Sequence, residues 1–341
     1  MSLPRHLAAL VAGFMMVSPL HADGLAPTAE AIRAAITKAV PVLEKGAAGS
    51  AKERKCFTCH NQALPVLALV GARKRGFSIN KENLDKQLRH TETHLKRGQK
   101  GYLEGRGQGG KVITAGYALW ALQAGGRKPD ELTAAVTHFL LEYQKKKGHW
   151  SHPGKRPPSS GSDFTTTYVA LRGLAGFGTE KQKARIEERT KAVREWLLGE
   201  SPKETEARVF RLRALKSVEP DGDAVTKAIA QLVDSQRKDG GWAQTSEMKS
   251  DAYATATVLV ALLRDGGLSA DHPAVRRGAR YLVDTQLEDG SWHVVTRAKP
   301  FQTYFETGFP HGKDQFISIA ASSWATLALV LTIPESPCGP R

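Results

Sequence analysis

The chain has 341 residues, of which 41% are hydrophobic, and it carries a net charge of +15. This length and apolar share suffice for one large domain with its own core and leave no room for a second large domain. Nothing in the sequence resembles a nucleic-acid-binding module. The excess of basic residues predicts a solvated basic surface, or attraction to an anionic surface or an acidic redox partner.

The first 22 residues have the pattern of a signal peptide. A basic start at Arg5 precedes an apolar run over residues 7–17, and a cleavage site follows Ala22. No later run reaches the length of a transmembrane helix. We therefore expect an exported chain, periplasmic or secreted, with a domain over residues 23–334. Residues 335–341 are the predicted C-terminal tail, with the lone Cys338.

Apolar periodicity, capping signals and stop signals predict twelve helices in this domain, grouped in six pairs. The first helix of each pair carries a charged face and the second is rich in small residues. These compositions suit outer and inner positions, respectively. The predicted outer helices cover residues 29–44, 81–96, 129–146, 180–198, 223–235 and 273–285, and the inner ones cover 61–75, 112–124, 163–177, 202–217, 252–265 and 315–331. The prediction is an all-α fold, a single α6/α6 toroid.

One motif recurs three times: Gln, three residues, Gly, one residue, Trp. The spacing of the copies indicates a repeat unit of roughly 46–50 residues, with a degenerate unit between the first two copies. A glutamine amide can bond backbone groups at a helix end, glycine can take the turn, and tryptophan can cover the junction. We therefore predict a structural role for all three copies: Gln144, Gly148 and Trp150; Gln236, Gly240 and Trp242; Gln286, Gly290 and Trp292.

A CxxCH motif, formed by Cys56, Cys59 and His60, carries the strongest chemical signal. Two thiols at this spacing followed by histidine are typical of c-type haem attachment, with the imidazole on the iron. Covalently bound haem c is the expected cofactor, and His60 is the expected iron ligand. The alternative is a disulfide or redox pair of the two cysteines. The second axial ligand stays open among His90, His94, Met248, His311 and water.

Residues 277–292, RGARYLVDTQLEDGSW, resemble the repeat of squalene–hopene cyclases, whose α/α toroid is shared with protein prenyltransferase β subunits. Together with CxxCH, the segments DAYAT at 251–255 and GFPHGKDQ at 308–315 resemble secreted bacterial squalene-cyclase-like proteins. The resemblance implies a toroid whose central cavity opens at the N-termini of the inner helices.

The catalytic residues of those families are missing from this chain. Hopene cyclases protonate an alkene with a DxDD aspartate, whereas the nearest match, Asp221 and Asp223, lacks the adjacent acid. Prenyltransferases bind zinc through an Asp, a Cys and a His, and no cysteine lies between Leu95 and Leu331. Neither mechanism is expected to be inherited unchanged.

Three aspartates, Asp163, Asp251 and Asp314, fall at equivalent starts of inner helices. We expect them to surround the same end of the barrel as His60. Each could instead be a helix N-cap.

The connection over residues 293–313 is longer than the equivalent loops, so we expect it to fold over the cavity or to pack as a plain cover. It carries Arg297, Tyr304 and His311. Near another connection, His149 and His152 are expected to be surface residues. The candidate catalytic residues are therefore Asp163, Asp251, Asp314, His311 and Tyr304.

Two functions fit this sequence. The first is an exported haem-bearing toroid that binds a small or hydrophobic ligand in its central cavity and takes part in redox chemistry. The second is a haem-free enzyme on the same scaffold. It would be a terpene-cyclase relative with a displaced acid such as Asp251 or Asp314, or a polysaccharide lyase using Tyr304 with Arg297 or His311. A module that only binds its ligand is a third possibility.

Overall fold

The structure is a computed structural model, and it describes residues 26–151, 154, 156–300 and 302–334. The predicted signal peptide at 1–22 and the tail at 335–341 with Cys338 lie outside the described residues, as does His152.

Thirteen α-helices form the described part of the chain, and each helix predicted from periodicity has a counterpart among them. No β-strand occurs among the described residues. The helices are α1 Ala29–Glu53, α2 Leu64–Lys74, α3 Lys81–Arg97, α4 Gln99–Leu103, α5 Lys111–Ala124, α6 Glu131–Glu142, α7 Asp163–Phe177, α8 Lys183–Gly199, α9 Thr205–Val218, α10 Asp223–Asp234, α11 Ala252–Arg264, α12 Pro273–Asp284 and α13 Gln315–Leu331. A π-helical turn, Cys59–Ala63, leads into α2, and the short α4 has no predicted counterpart.

The main difference from the prediction concerns the end of α1, which continues nine residues beyond the predicted stop at Glu44. Glycines at 46 and 49 have a low intrinsic helix propensity. In the fold they allow a close approach, because a Cβ on Gly49 would lie 1.9 Å from the Thr307 carbonyl oxygen. Tertiary packing therefore overrides the local propensity of glycine.

Six inner helices form a closed ring in the order α2, α5, α7, α9, α11 and α13, and α13 packs back against α2. The outer helices α1, α3, α6, α8, α10 and α12 pack against the outside of this ring. Small residues allow the inner helices to approach closely: a Cβ on Gly116 of α5 would lie 2.6 Å from the Val169 side chain of α7. The predicted α6/α6 toroid is confirmed.

The tryptophans of the three repeat copies make the same contacts. Each indole Nε1 donates to the carbonyl of a leucine ten residues earlier, near the end of the preceding outer helix; for Trp242 the acceptor is Leu232, at 2.7 Å. The Trp242 backbone N–H donates to the Thr255 hydroxyl on α11 at 2.9 Å. Each tryptophan thus joins an outer helix to the following inner helix, which supports its predicted structural role.

The glutamines of the last two copies join neighbouring outer helices. Gln236 Nε2 donates at 2.8 Å to the Ala274 carbonyl of α12, and Gln286 Nε2 donates at 2.8 Å to the Ala35 carbonyl of α1. The second contact joins the last repeat to the first and closes the outer layer. The first copy departs from this pattern, because Gln144 bonds Ser151 within its own loop.

The lumen of the ring contains a side-chain plug centred on Arg213, which is 2% exposed. Its guanidinium lies 4.5 Å from the ring centre of Tyr168 and 5.0 Å from that of Trp120, with Phe210 and Trp324 completing an aromatic cage. Arg213 Nε also donates to Asp265 at 2.8 Å. Cation–π contacts and the ion pair together compensate the buried charge. The plug fills part of the cavity that the resemblance implied.

Among the described residues one helical stretch, Gly312–Leu331, is long and apolar enough to cross a membrane, with a mean hydropathy of 1.3. However, 89% of the apolar window is buried inside the protein, where it contributes one helix of the inner ring. Length and composition alone also fit such a core helix, so the described residues contain no clear transmembrane span.

We predict that Trp242→Ala lowers the free energy of unfolding by about 3–5 kcal/mol, because it leaves a cavity and frees the Leu232 carbonyl. Urea unfolding monitored by circular dichroism measures the change. Trp196→Ala is the matched control, since Trp196 is only partly buried, and it should cost less. An unchanged midpoint for the Trp242 variant would contradict the structural role of the repeat.

Candidate functional site

The connections from outer to inner helices all lie at one end of the ring, which we call the mouth. Cys59 and His60 lie in the first of these connections, and Asp163, Asp251 and Asp314 lie at the starts of α7, α11 and α13. The expected shared location is therefore observed. The aspartates do not meet around one point, because each is held by local partners.

Asp251 is the N-cap of α11, where its Oδ1 accepts from the Ala254 N–H at 3.0 Å. Burial raises its pKa to about 6. Asp163, by contrast, is the first residue of α7, and the side chain of Ser162 caps that helix. The N-cap interpretation thus holds for Asp251 and is wrong for Asp163.

Asp314 binds the base of the long loop rather than capping α13. Its carboxylate accepts from the Thr296 N–H at 3.0 Å and contacts His293 Nε2 at 3.0 Å. Burial alone would raise its pKa, but these two hydrogen bonds hold the pKa below its ordinary value. A carboxylate held ionised in this way is unsuited to be the displaced acid of a cyclase.

The long loop over residues 293–313 crosses the mouth. Near its start, Arg297 forms a bidentate pair with Glu204 ahead of α9, at 3.1 and 3.2 Å. Further along, the Thr303 carbonyl accepts from Arg54 at the end of α1, and the Arg54 guanidinium lies 4.4 Å from the ring centre of Phe305. The loop is tied to both sides of the ring, as the prediction of a loop folded over the cavity requires.

The residues expected to serve a lyase belong to separate hydrogen-bond groups. Tyr304 bonds Glu306 and Gln315, and desolvation together with Glu306 raises its pKa to about 12. His311 Nε2 contacts the Ser291 hydroxyl at 2.7 Å, while Arg297 is committed to Glu204. A phenol whose pKa is raised stays protonated at neutral pH and is therefore a poor general base.

The sequence analysis missed an acid inside the lumen, Glu206. It occupies the first turn of α9 and is 4% exposed. Its carboxyl group accepts from the Thr165 hydroxyl of α7 at 3.1 Å and from the Tyr253 hydroxyl of α11 at 3.2 Å. Burial raises the pKa of Glu206 to about 8, so the carboxyl group is largely protonated at neutral pH.

Two further polar side chains lie near this acid, and His60 follows one of them in the chain. The Tyr117 hydroxyl of α5 is buried without a hydrogen-bond partner. The Cys59 thiol has a pKa raised by burial. His60 lies edge-on to Phe316 at 5.4 Å, and burial followed by the nearby Arg156 lowers its pKa to about 4. We call the group of Cys59, Tyr117, Glu206 and Tyr253, with His60 next to Cys59 at the mouth, the acid chamber.

The two cysteines of the CxxCH motif have different surroundings. Attachment requires both thiols at one porphyrin edge with the imidazole facing the iron. Cys56 is exposed, whereas Cys59 packs against the hydrophobic core, and an extended Thr58 separates them. His90 Nε2 lies 3.3 Å from the Cys56 carbonyl. Haem attachment and the iron-ligand role of His60 therefore stay predictions, and no group of three or more possible metal-ligating side chains occurs among the described residues.

Comparisons with known proteins agree with this architecture. Residues 203–326 match the family model of the squalene–hopene cyclase C-terminal domain. The chain has the α/α-toroid fold of the squalene–hopene cyclase and prenyltransferase superfamily. None of the curated proteins is detectably similar to it in sequence.

Solved structures with this toroid fold include enzymes with different substrates. The type II terpene cyclase MstE from Scytonema without ligand is 16% identical, has a TM-score of 0.55 and aligns over 88% of this chain and 98% of its own. An MstE variant with its substrate geranylgeranyl dihydroxybenzoate is 13% identical and has a TM-score of 0.53. It aligns over 89% of this chain and 97% of its own. A glycosidase variant with glucose is 12% identical and has a TM-score of 0.56. It aligns over 90% of this chain and 100% of its own. At these identities the likeness concerns the fold alone.

Arg297→Ala is expected to loosen the long loop without unfolding the domain. The ion pair with Glu204 is partly exposed, so its loss should change the free energy of unfolding by less than about 1 kcal/mol. Amide hydrogen exchange across residues 293–313 should become faster. Lys299→Ala, an exposed change in the same loop, is the control. Equal exchange in both variants would show that the pair does not hold the loop.

Glu206→Gln is expected to flatten the pH dependence of stability. The folded-state pKa of about 8 exceeds the ordinary value of 4.5, so between these values the folded protein keeps a proton that the unfolded chain releases. The stability from this group is fully present below about pH 4.5 and falls by up to about 1.4 kcal/mol per pH unit as pH rises towards 8.

Urea unfolding at pH 5, 6.5 and 8 measures this dependence. The exposed Glu187→Gln on α8 is the control and should keep the slope of the natural chain. Parallel curves for the Glu206 variant and the natural chain would mean that Glu206 is ionised in the folded protein.

Proposed function

We propose that the protein is a haem-free acid catalyst that binds a small or hydrophobic ligand at the mouth of the toroid and transfers the proton of Glu206 to it. The observation that carries this proposal is a buried carboxyl group inside the lumen, held by Tyr253 and Thr165, whose pKa is raised by burial to about 8. A general acid works best when its pKa lies near the working pH, and burial brings Glu206 into that range.

The surroundings of Glu206 suit this role. Thr165 and Tyr253 fix the orientation of the carboxyl group, and they lie on different helices, so the geometry is set by the ring rather than by a flexible loop. The loop over residues 293–313 restricts the entry of water to the mouth. The Arg213 plug limits the depth that a ligand can reach, which favours a small molecule or one end of a long one.

Terpene-cyclase-like chemistry is the form of this proposal that we favour. The toroid is shared with a type II terpene cyclase, and Glu206 would replace the missing DxDD aspartate as the acid. Its proton would add to one carbon of an alkene, the carbocation would lose a proton or take up water, and the Glu206 carboxylate would recover a proton from solvent. The permanent charge of Arg213 occupies the aromatic cage. Because this charge would repel a carbocation, the chemistry is confined to the acid chamber, and a long cyclisation cascade through the lumen is disfavoured.

Covalent haem with a redox role is the second candidate, because Cys59 and His60 lie in the acid chamber at the mouth. The different exposure of Cys56 and Cys59 weighs against it. Export, on which haem attachment depends, rests on the pattern of residues 1–22. A haem-staining gel of protein made with a haem-maturation system distinguishes the two candidates: stain that is lost in Cys59→Ala supports haem, and absent stain removes it.

We expect purified protein to convert geranylgeranyl dihydroxybenzoate into products detectable by mass spectrometry. Glu206→Gln should lower this rate at least about 100-fold, because the amide cannot donate an acidic proton. Glu187→Gln on the exposed face of α8 should keep the rate of the natural chain.

Two outcomes would overturn the proposal. One is a Glu206→Gln variant that retains its rate. The other is loss of activity in Asp251→Asn with activity retained in Glu206→Gln, which would transfer the role of acid to the cap of α11. Cleavage of polyuronate by the natural chain would instead favour the lyase alternative.

A further inference from the structure

The Tyr117 hydroxyl is a hydrogen-bond donor without an acceptor. Tyr117 is 1% exposed, and its ring stacks on Trp120 with a centroid distance of 5.8 Å and an interplanar angle of 16°. Its oxygen has no partner among the described residues. A buried hydroxyl in this state costs free energy, and its retention in a core calls for a reason other than packing, since phenylalanine would fill the same volume.

The protonated carboxyl group of Glu206 is a second hydrogen-bond donor in the lumen. Each of its carboxyl oxygens already accepts one hydrogen bond, Oε1 from Thr165 and Oε2 from Tyr253. In the protonated acid the proton is therefore free to point towards a further acceptor, and the structure gives Glu206 no other hydrogen bond within the described range. A neutral carboxylic acid in an apolar site can act as a hydrogen-bond donor in this way.

The two donors share one space. In the ring α5 and α11 lie on opposite sides, yet Tyr253 of α11 donates to Glu206 at 3.2 Å, and Tyr117 of α5 is near enough that burial and then an ionised Glu206 would raise its pKa. Residues from opposite sides of a ring can approach one acid only inside the lumen. No hydrogen bond joins Tyr117 to Glu206, so each of the two groups keeps a donor that the oxygen atom of a ligand can satisfy.

We infer that the acid chamber binds the oxygen atom of a carbonyl or hydroxyl group on its ligand, with Tyr117 and Glu206 as the two donors. A phenol and a protonated carboxylic acid in an apolar site form a strong donor pair for such an oxygen. The inference deepens the proposed function and rests on it: a plain hydrocarbon would leave both donors unsatisfied, whereas an oxygen-bearing hydrophobic molecule satisfies both. Tyr117 is then a residue that selects the substrate.

The test compares p-cresol with toluene, which have similar shapes and differ by one hydroxyl group. Ligand-observed NMR titration of the full chain should give measurable binding of p-cresol and much weaker binding of toluene. Tyr117→Phe should weaken p-cresol binding about three- to tenfold and leave toluene binding unchanged. Tyr143→Phe, on the outside of the ring, is the matched control and should bind both molecules as the natural chain does.

Tyr117→Phe is expected to fold, because it removes an unsatisfied group and keeps the ring; its unfolding midpoint should equal or exceed that of the natural chain. Equal affinities for p-cresol and toluene, or no effect of Tyr117→Phe, would overturn the inference. If Glu206→Gln abolishes turnover while Tyr117→Phe leaves p-cresol binding unchanged, the proposed function stands and this inference falls. If p-cresol binding depends on Tyr117 but no turnover depends on Glu206, the binding site stands and the proposed function falls.

Discussion

Closure of the ring is the constraint on which the whole molecule depends. The inner helices other than α9 are apolar or small on nearly every side, so they are stable only between two inner neighbours and under an outer layer. The ends of the helices leave backbone N–H and C=O groups without partners inside the helix. The tryptophan side chains of the repeat bond such carbonyl groups, and the glutamine side chains of the last two copies bond carbonyl groups of neighbouring outer helices. The contact from Gln286 to the Ala35 carbonyl completes this pattern, because it joins the last repeat to the first.

The closed ring also sets the chemistry of the lumen. Residues that point inwards lose their water, so any ionisable group among them must be compensated or must change its protonation state. Arg213 is compensated by Asp265 and by four aromatic rings. Glu206 has only hydroxyl donors and is held neutral by burial. Both residues lie on α9 and both are buried, but Arg213 stays charged because it is compensated, whereas Glu206 becomes neutral. The lumen therefore contains a charged plug and an acid chamber.

Periodicity predicted much of this fold because inner and outer helices differ in composition. The bounds 163–177 and 315–331 were predicted to the residue, since small or apolar residues fill both segments between clear boundaries. The repeat alone predicted that Asp163, Asp251 and Asp314 lie at the same end of the barrel. Their separate partners could not be predicted, because a loop such as 293–313 has no period. Glu206 was missed for a related reason: it lies in a stretch with Glu204, Arg208 and Arg211, and only the closed ring decides which of these charges faces inwards.

The contacts of α1 have a consequence for how the chain reaches its native state. This helix is synthesised before the other helices of the toroid, yet its partners Thr303, Thr307 and Gln286 lie more than 230 residues further along the chain. Contacts of such high sequence separation form slowly, since the intervening chain must be brought into order before they can form. Until the final segment arrives, an incomplete arc exposes two apolar edges, and such edges are sites for chaperone binding or for exchange of helices between chains.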